Sequence, residues 1–165
     1  MVILGIDPGL AIVGWGVLKF DGFRFQPLGY GSIQTPAGIK TEERLAQIYE
    51  GMNQLIDTYH PDEMAVEELF FNNNITTGIR VAEARGVILM AGHQRKLRIS
   101  EYTPLQVKQA VVGFGRAEKK QVITMVTSLL KLPKPPKPDD TADALAIAIC
   151  HAHSGCSRIS AYYNQ

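Results

Sequence analysis

Two short apolar runs, each closed by a carboxylate, constrain this chain more than anything else in it. Val2-Ile3-Leu4-Gly5-Ile6 runs into Asp7 and then Pro8-Gly9, and Met64-Ala65-Val66 runs into Glu67 and then Glu68-Leu69. Unbroken apolar runs this short read as strands buried on both faces. Between them, Thr41 opens a helix with Glu42 and Glu43 in its first turn, where acids suit the helix dipole. Its core face is Leu45, Ile48, Met52, Leu55 and Ile56, and His60-Pro61-Asp62 ends it. A helix between two strands favours their parallel pairing. That pairing sets Asp7 and Glu67 at one carboxyl-terminal edge, where open α/β sheets place their sites. Glu68, one residue on, points to the other face. An ionised carboxylate at the tip of a buried strand is costly unless a cation meets it. The plainer alternatives are a turn started by Asp7 and an ordinary exposed strand end at Glu67.

The remaining elements follow in order. Ile12–Phe20 reads as a second strand, with Gly14 and Gly16 marking a bulge or a close backbone approach. Asp21-Gly22 is a hairpin signal, and a third strand spans 23–33, interrupted near Pro27. A long helix covers about 76–96, and its Ala82, Gly86 and Leu89 offer a face that a second copy of the chain can approach closely. A short strand at 99–102, a helix at Pro104–Val112 and another at 118–130 come next. Residues 131–138 read as a stiff extended connector, and a last helix starts at Asp139. His151 and His153 are expected on its fraying end. The fold class is α/β: a mixed five-stranded sheet, antiparallel meander first and parallel strands after, flanked by helices, in one domain over 1–165.

Charge is distributed unevenly. The chain carries a net +1, yet between Arg80 and Lys120 nine basic side chains face three acids, a local +6 that leaves −5 for the rest. Such asymmetry points to a polyanion-facing surface; solvated helix faces laced with ion pairs are the plainer account. No apolar run approaches the ~18 residues of a membrane span, and no basic segment precedes the first apolar run as in a signal peptide. A cytoplasmic protein with Cys150 and Cys156 as reduced thiols is expected.

Asp140 and Asp143, three apart, are neighbours on one helical face, whereas capping accounts for only one acid at the start of that helix. Alanines along the helix let it lie against the sheet and bring its first turn to the strand ends. Asp7, Glu67, Asp140 and Asp143 then share one edge, and their repulsion calls for cations. Hard oxygen ligands without Cys or His suit Mg²⁺, with Mn²⁺ able to substitute. Two such ions balance four carboxylates and equip the site for phosphodiester hydrolysis. They would also shift the net charge from +1 to about +5, favouring a nucleic-acid partner. Phe70 and Phe71, beside Glu67, can stack on exposed bases or plug into the core. The loop before the 118–130 helix, with Arg116, Lys119 and Lys120, can hold a phosphate on backbone N–H groups.

The order of elements resembles the ribonuclease H-like fold, and the motifs resemble those of the RuvC family of bacterial Holliday junction resolvases. The matching stretches are Gly5-Ile6-Asp7-Pro8-Gly9, Ala65-Val66-Glu67-Glu68-Leu69-Phe70, Gln106-Val107-Lys108-Gln109 with Val111-Val112-Gly113, Ala117-Glu118-Lys119, and 140–149. The resemblance implies a homodimeric, Mg²⁺-dependent endonuclease that resolves four-way DNA junctions by paired symmetric nicks, working with the RuvA–RuvB branch-migration complex in recombination and repair. It makes Asp7, Glu67, Asp140 and Asp143 the metal ligands, sets Lys108 and Lys119 near the scissile phosphate and turns Phe70 to the junction bases. Phe71 and Asp139 are doublings within the family pattern; Asp140 is taken as the ligand and Asp139 as a cap. Two alternatives remain at this point. A non-catalytic junction-binding module of the same fold would not need four acids, and an actin-like ATPase would need two such domains.

Overall fold

A computed structural model describes residues 1–69 and 75–163. Phe70 and Phe71 lie outside the described residues, and the Cys156 side chain lies outside the described side chains. The strands are β1 (Val2–Asp7), β2 (Ile12–Phe20), β3 (Phe25–Gln34), β4 (Glu63–Glu67) and β5 (Arg98–Tyr102). The helices are α1 (Thr41–Tyr59), α2 (Ile75–Gln94), α3 (Pro104–Val112), α4 (Lys119–Leu129) and α5 (Asp139–Tyr163). The sheet runs β3-β2-β1-β4-β5. The first three strands are antiparallel, and β1–β4 and β4–β5 are parallel, as the sequence leads one to expect.

Alternation along the strands divides the core. Leu4, Ile6, Met64 and Val66 join Ile48, Met52 and Ile88 on the side of α1 and α2. Ile3 and Ala65 join Leu145 and Ile149 on the other side, under α3, α4 and α5. Full burial of each such large aliphatic side chain contributes roughly 1.5–3 kcal/mol. Because side chains two apart share a face, Gly5 and Asp7 follow Ile3, and Glu67 follows Ala65, onto the α5 side. The parallel register Ile6↔Val66 brings Asp7 and Glu67 level.

α5 lies very close to the sheet. A Cβ added to Gly5 would stand 2.2 Å from the Ala144 carbonyl oxygen, and one added to Gly14 2.0 Å from that of Asp140. Ala142, Ala144, Ala146 and Ala148 are fully buried along the helix. The start of α5 is also tied to the antiparallel half of the sheet, since the buried Thr141 Oγ1 donates to the Gly31 carbonyl at 3.0 Å.

Three sequence expectations are corrected, and a fourth, the interruption near Pro27, is borne out. β3 begins at Phe25 instead of residue 23, because Asp21 Oδ1 accepts the N–H groups of Phe23 and Arg24 and holds them in the turn. The interruption near Pro27 is a register shift opposite Val17 and Leu18. The connector at 131–138 is bent, with Lys131 at φ +51°, and Pro136 is buried in it. His151 is not on a fraying end: α5 continues to Tyr163, and the buried imidazole bridges Tyr102 Oη at 2.8 Å and Glu63 Oε2 at 2.7 Å. Cys150 is buried and free, and burial pushes its thiol up to about 11, so it is an inert core residue.

Candidate active site

Four carboxylates reach one edge of the sheet by three routes. Asp7 ends β1 and Glu67 ends β4, where each apolar run gives out. Asp140 and Asp143 come from the first turns of α5. The Gly14 notch is what lets that turn down: Asp7 pairs with Gly14 across the sheet, and Asp140 sits directly over Gly14.

The electrostatics report the crowding. Burial first, and then the charges of Glu67, Asp143 and Asp140, lift the Asp7 carboxyl well above its ordinary value. Burial and then Asp143 raise Glu67 to about 7, against the pull of Lys119 and Lys108. Burial also raises Asp143, which Lys119 partly offsets. Burial alone would lower the Lys119 ammonium, yet its hydrogen bond to Asp143, with the charges of Asp143, Asp139 and Asp140, holds it above its usual value. Its Nζ lies 2.9 Å from Asp143 Oδ2 and 3.9 Å from Asp139 Oδ2.

Lys119 is therefore the resident counter-ion of an acid cluster. A cation at the first position of α4 works against that helix's dipole, so local helix stability does not account for it. α4 starts where the Glu118 N–H donates to Gln121 Oε1 at 2.8 Å, and Lys119 is its first residue. Among the described residues no three acid, His or Cys side chains already converge as metal ligands do. The donor set nevertheless fits hard divalent cations: four carboxylate side chains, mutually repelling, with one ammonium among them. Lys119→Ala is expected to slow DNA cleavage by about 100–1,000-fold, the range of one lost electrostatic stabiliser. DNA affinity should change much less, as single-turnover rates beside a binding isotherm will show.

Of the other residues singled out in the sequence, Lys108 on α3 is close enough to Glu67 to lower its pKa. Arg116 and Lys120 are exposed around the start of α4. The basic surplus between Arg80 and Lys120 is partly neutralised by acids outside that stretch, since Arg95 pairs with Asp57 and Arg98 with Glu63, while Arg85 pairs with Glu101 inside it. Asp139 does not play the capping part assigned to it; it faces Lys119 together with Asp143. The i,i+4 spacing of Asp139 and Asp143 was the available signal. Thr141 as an anchor of α5 left no such trace.

A mixed sheet of this order, with acids on adjacent strand tips and on the helix laid across them, defines a nuclease of the ribonuclease H-like fold. Comparison makes this particular. The family model described as "Crossover junction endodeoxyribonuclease RuvC" matches residues 3–151, and the chain belongs to that family. It is 57% identical over 155 residues to the crossover junction endodeoxyribonuclease RuvC of Alkaliphilus metalliredigens, covering 94% of each chain. It is 58% identical over 154 residues to that of Halothermothrix orenii, with 93% of each covered. The structure of Thermus thermophilus RuvC in complex with a Holliday junction substrate superposes with a TM-score of 0.90 at 35% identity, over 95% of this chain and 96% of that one. The chain is thus an endodeoxyribonuclease, and family membership implies dependence on a divalent cation.

Proposed function

We propose that the chain, acting as one domain over residues 1–165, resolves four-way DNA junctions by paired symmetric nicks. Asp7, Glu67, Asp140 and Asp143 would hold two Mg²⁺ ions, with Mn²⁺ able to replace them. The observation that carries this is the parallel register of β1 and β4, which levels Asp7 with Glu67 beneath the first turns of α5. Divalent ions bound there supply an activated water and stabilisation of the leaving oxygen. The protein's own groups do the rest. The carboxylates orient the reacting edge, and Lys108 and Lys119 meet the charge that develops on the scissile phosphate. Arg116 and Lys120 contact flanking backbone, and Phe70, with Phe71 beside it, stacks against bases opened at the branch point.

A four-way junction presents two equivalent strands, and one such site cuts one strand. A two-fold homodimer supplies two sites related by the substrate's own symmetry. The exposed side of α2, where Ile79 and Met90 flank Gly86, is the surface we assign to that contact. The RuvA–RuvB complex is the proposed partner at the junction, and the cytoplasm, where the chromosome lies, is the proposed location.

The test is incubation with a synthetic four-way junction and a matched linear duplex, with and without Mg²⁺. Symmetric nicks in the junction alone, and only with the ion, are expected. Equal cutting of the duplex, or junction cutting in EDTA, overturns the reading.

A further inference from the structure

A pocket of about 380 Å³ adjoins Asp140 on the same edge of the sheet. Its walls are the turn at residues 9–12, Arg44 of α1, and Thr76, Thr77 and Arg80 near the start of α2. Arg44 is fixed there by neutral partners. Its Nε donates to Thr35 Oγ1 at 2.8 Å, and that buried hydroxyl donates onward to the Leu10 carbonyl at 2.6 Å. The bond uses Nε alone and leaves the two terminal nitrogens of the guanidinium available to the pocket.

Arg80 has no acid partner among the described residues, and neither does Arg44. This sets them apart from Arg85, Arg95 and Arg98, each of which is matched to a carboxylate. Two guanidinium groups lining one pocket repel each other, and an anion between them reverses that energy. The planar fork of arginine matches phosphate oxygens in particular. Among the described residues the one acid on the pocket wall is Asp140, which belongs to the reacting cluster and is neutralised when that cluster holds cations.

We propose that this pocket seats a backbone phosphate of the DNA substrate through Arg44 and Arg80, next along the strand from the phosphate being cut. The proposal rests on the nuclease reading above, because the place of Asp140 in the cluster is what puts the pocket beside the scissile bond. Its consequence is register. A strand gripped at two phosphates cannot slide, so the pocket decides which phosphodiester is presented. Arg44 and Arg80 are positioning residues in this scheme.

Arg80→Gln is the decisive variant, since Arg80 is exposed and holds no structural bond among the described residues. Arg44→Gln with Arg44→Lys as its conservative rescue is the second, with thermal melting to check that the fold survives. Each is measured on four-way junctions carrying either normal phosphates or one neutral methylphosphonate beside the scissile position. Arg80→Gln is expected to weaken binding of the all-phosphate junction about tenfold. The plot of log affinity against log salt should become shallower by about 0.9, the signature of one fewer phosphate neutralised by the protein. Cuts should spread to neighbouring phosphodiesters. The methylphosphonate junction should cost the wild type the same factor and cost Arg80→Gln nothing further.

Losses that multiply on the modified junction overturn the proposal, as does wild-type affinity, slope and cut position in Arg80→Gln. Inorganic phosphate that binds through these arginines while the methylphosphonate junction binds normally assigns the pocket to a free anion, which also overturns it. A wild-type protein that cuts no junction defeats the nuclease reading itself. A wild type that cuts beside an indifferent Arg80→Gln defeats only the pocket.

Discussion

Asp7→Asn is expected to abolish junction cleavage and at the same time to raise the melting temperature of the metal-free protein. The two effects have one cause. Asp7 is buried among Glu67, Asp143 and Asp140, and its charge is tolerated poorly until a divalent ion arrives. Removing that charge also removes one of the proposed metal ligands, a loss of several kcal/mol of transition-state stabilisation, so cleavage should fall by roughly a thousandfold or more. Junction binding should survive, because the basic groups that meet the backbone are untouched. A variant that still cleaves at the normal rate removes Asp7 from the site.

Glu67→Gln gives the same pair of effects with a pH signature. The folded protein holds the Glu67 proton up to about 7, against an ordinary value of 4.5. A carboxyl raised on folding contributes stability below its unfolded pKa and loses it as pH climbs through the folded one. Metal-free wild type should therefore lose stability between about pH 4.5 and 7, by roughly 2–4 kcal/mol from this group. At this chain length that is a fall of roughly 4–16 °C in melting temperature. Glu67→Gln should make the profile shallower, with the raised Asp7 and Asp143 carboxyls supplying what slope is left, and added Mg²⁺ should restore the wild type at pH 8. Melting in EDTA and in Mg²⁺ from pH 5 to 8 measures both. A pH-independent wild-type melt in EDTA contradicts the crowding described here.

Strand tips were legible in the sequence because a buried strand has to end where its first charge appears, and Asp7 and Glu67 are those charges. Their face followed from period-two alternation and their level from the parallel crossover. The start of α5 was legible from acids too numerous for capping alone. Other features depended on contacts between residues far apart in sequence, which local pattern does not carry. His151 was expected on a fraying end, yet Tyr102 and Glu63 bond its ring, and α5 continues past it. Asp139 looked like a cap because its partner, Lys119, is on another helix. Arg44 is singled out only by its bond to Thr35 and its place on the pocket wall, neither of which the local sequence carries.

The contact on which the site most depends involves no functional group. Gly14→Ala would add a methyl carbon 2.0 Å from the Asp140 carbonyl oxygen, 2.4 Å from its carbonyl carbon and 3.0 Å from its Cβ. The first two of those atoms are backbone and cannot rotate aside. Relief requires α5 and β2 to separate by about 1 Å, against Thr141 bonded to Gly31 and four buried alanines. Overpacking of this kind costs roughly 1–3 kcal/mol or more. The same shift carries Asp140 and Asp143 away from Asp7 and Glu67, and misplacement by about 1 Å can cost a reaction about 100-fold. Gly14→Ala should therefore lose both stability and cleavage, although every carboxylate and lysine is still present. Gly155→Ala is the matched control. It makes the same chemical change on α5, where an added Cβ meets nothing within 4 Å among the described residues. There the gain in helix propensity should stabilise by roughly 0.5–1 kcal/mol with cleavage unchanged. Urea unfolding and single-turnover cleavage of both variants decide the matter. If Gly14→Ala cuts junctions like the wild type, the close seating of α5 on β2 is not what assembles the site.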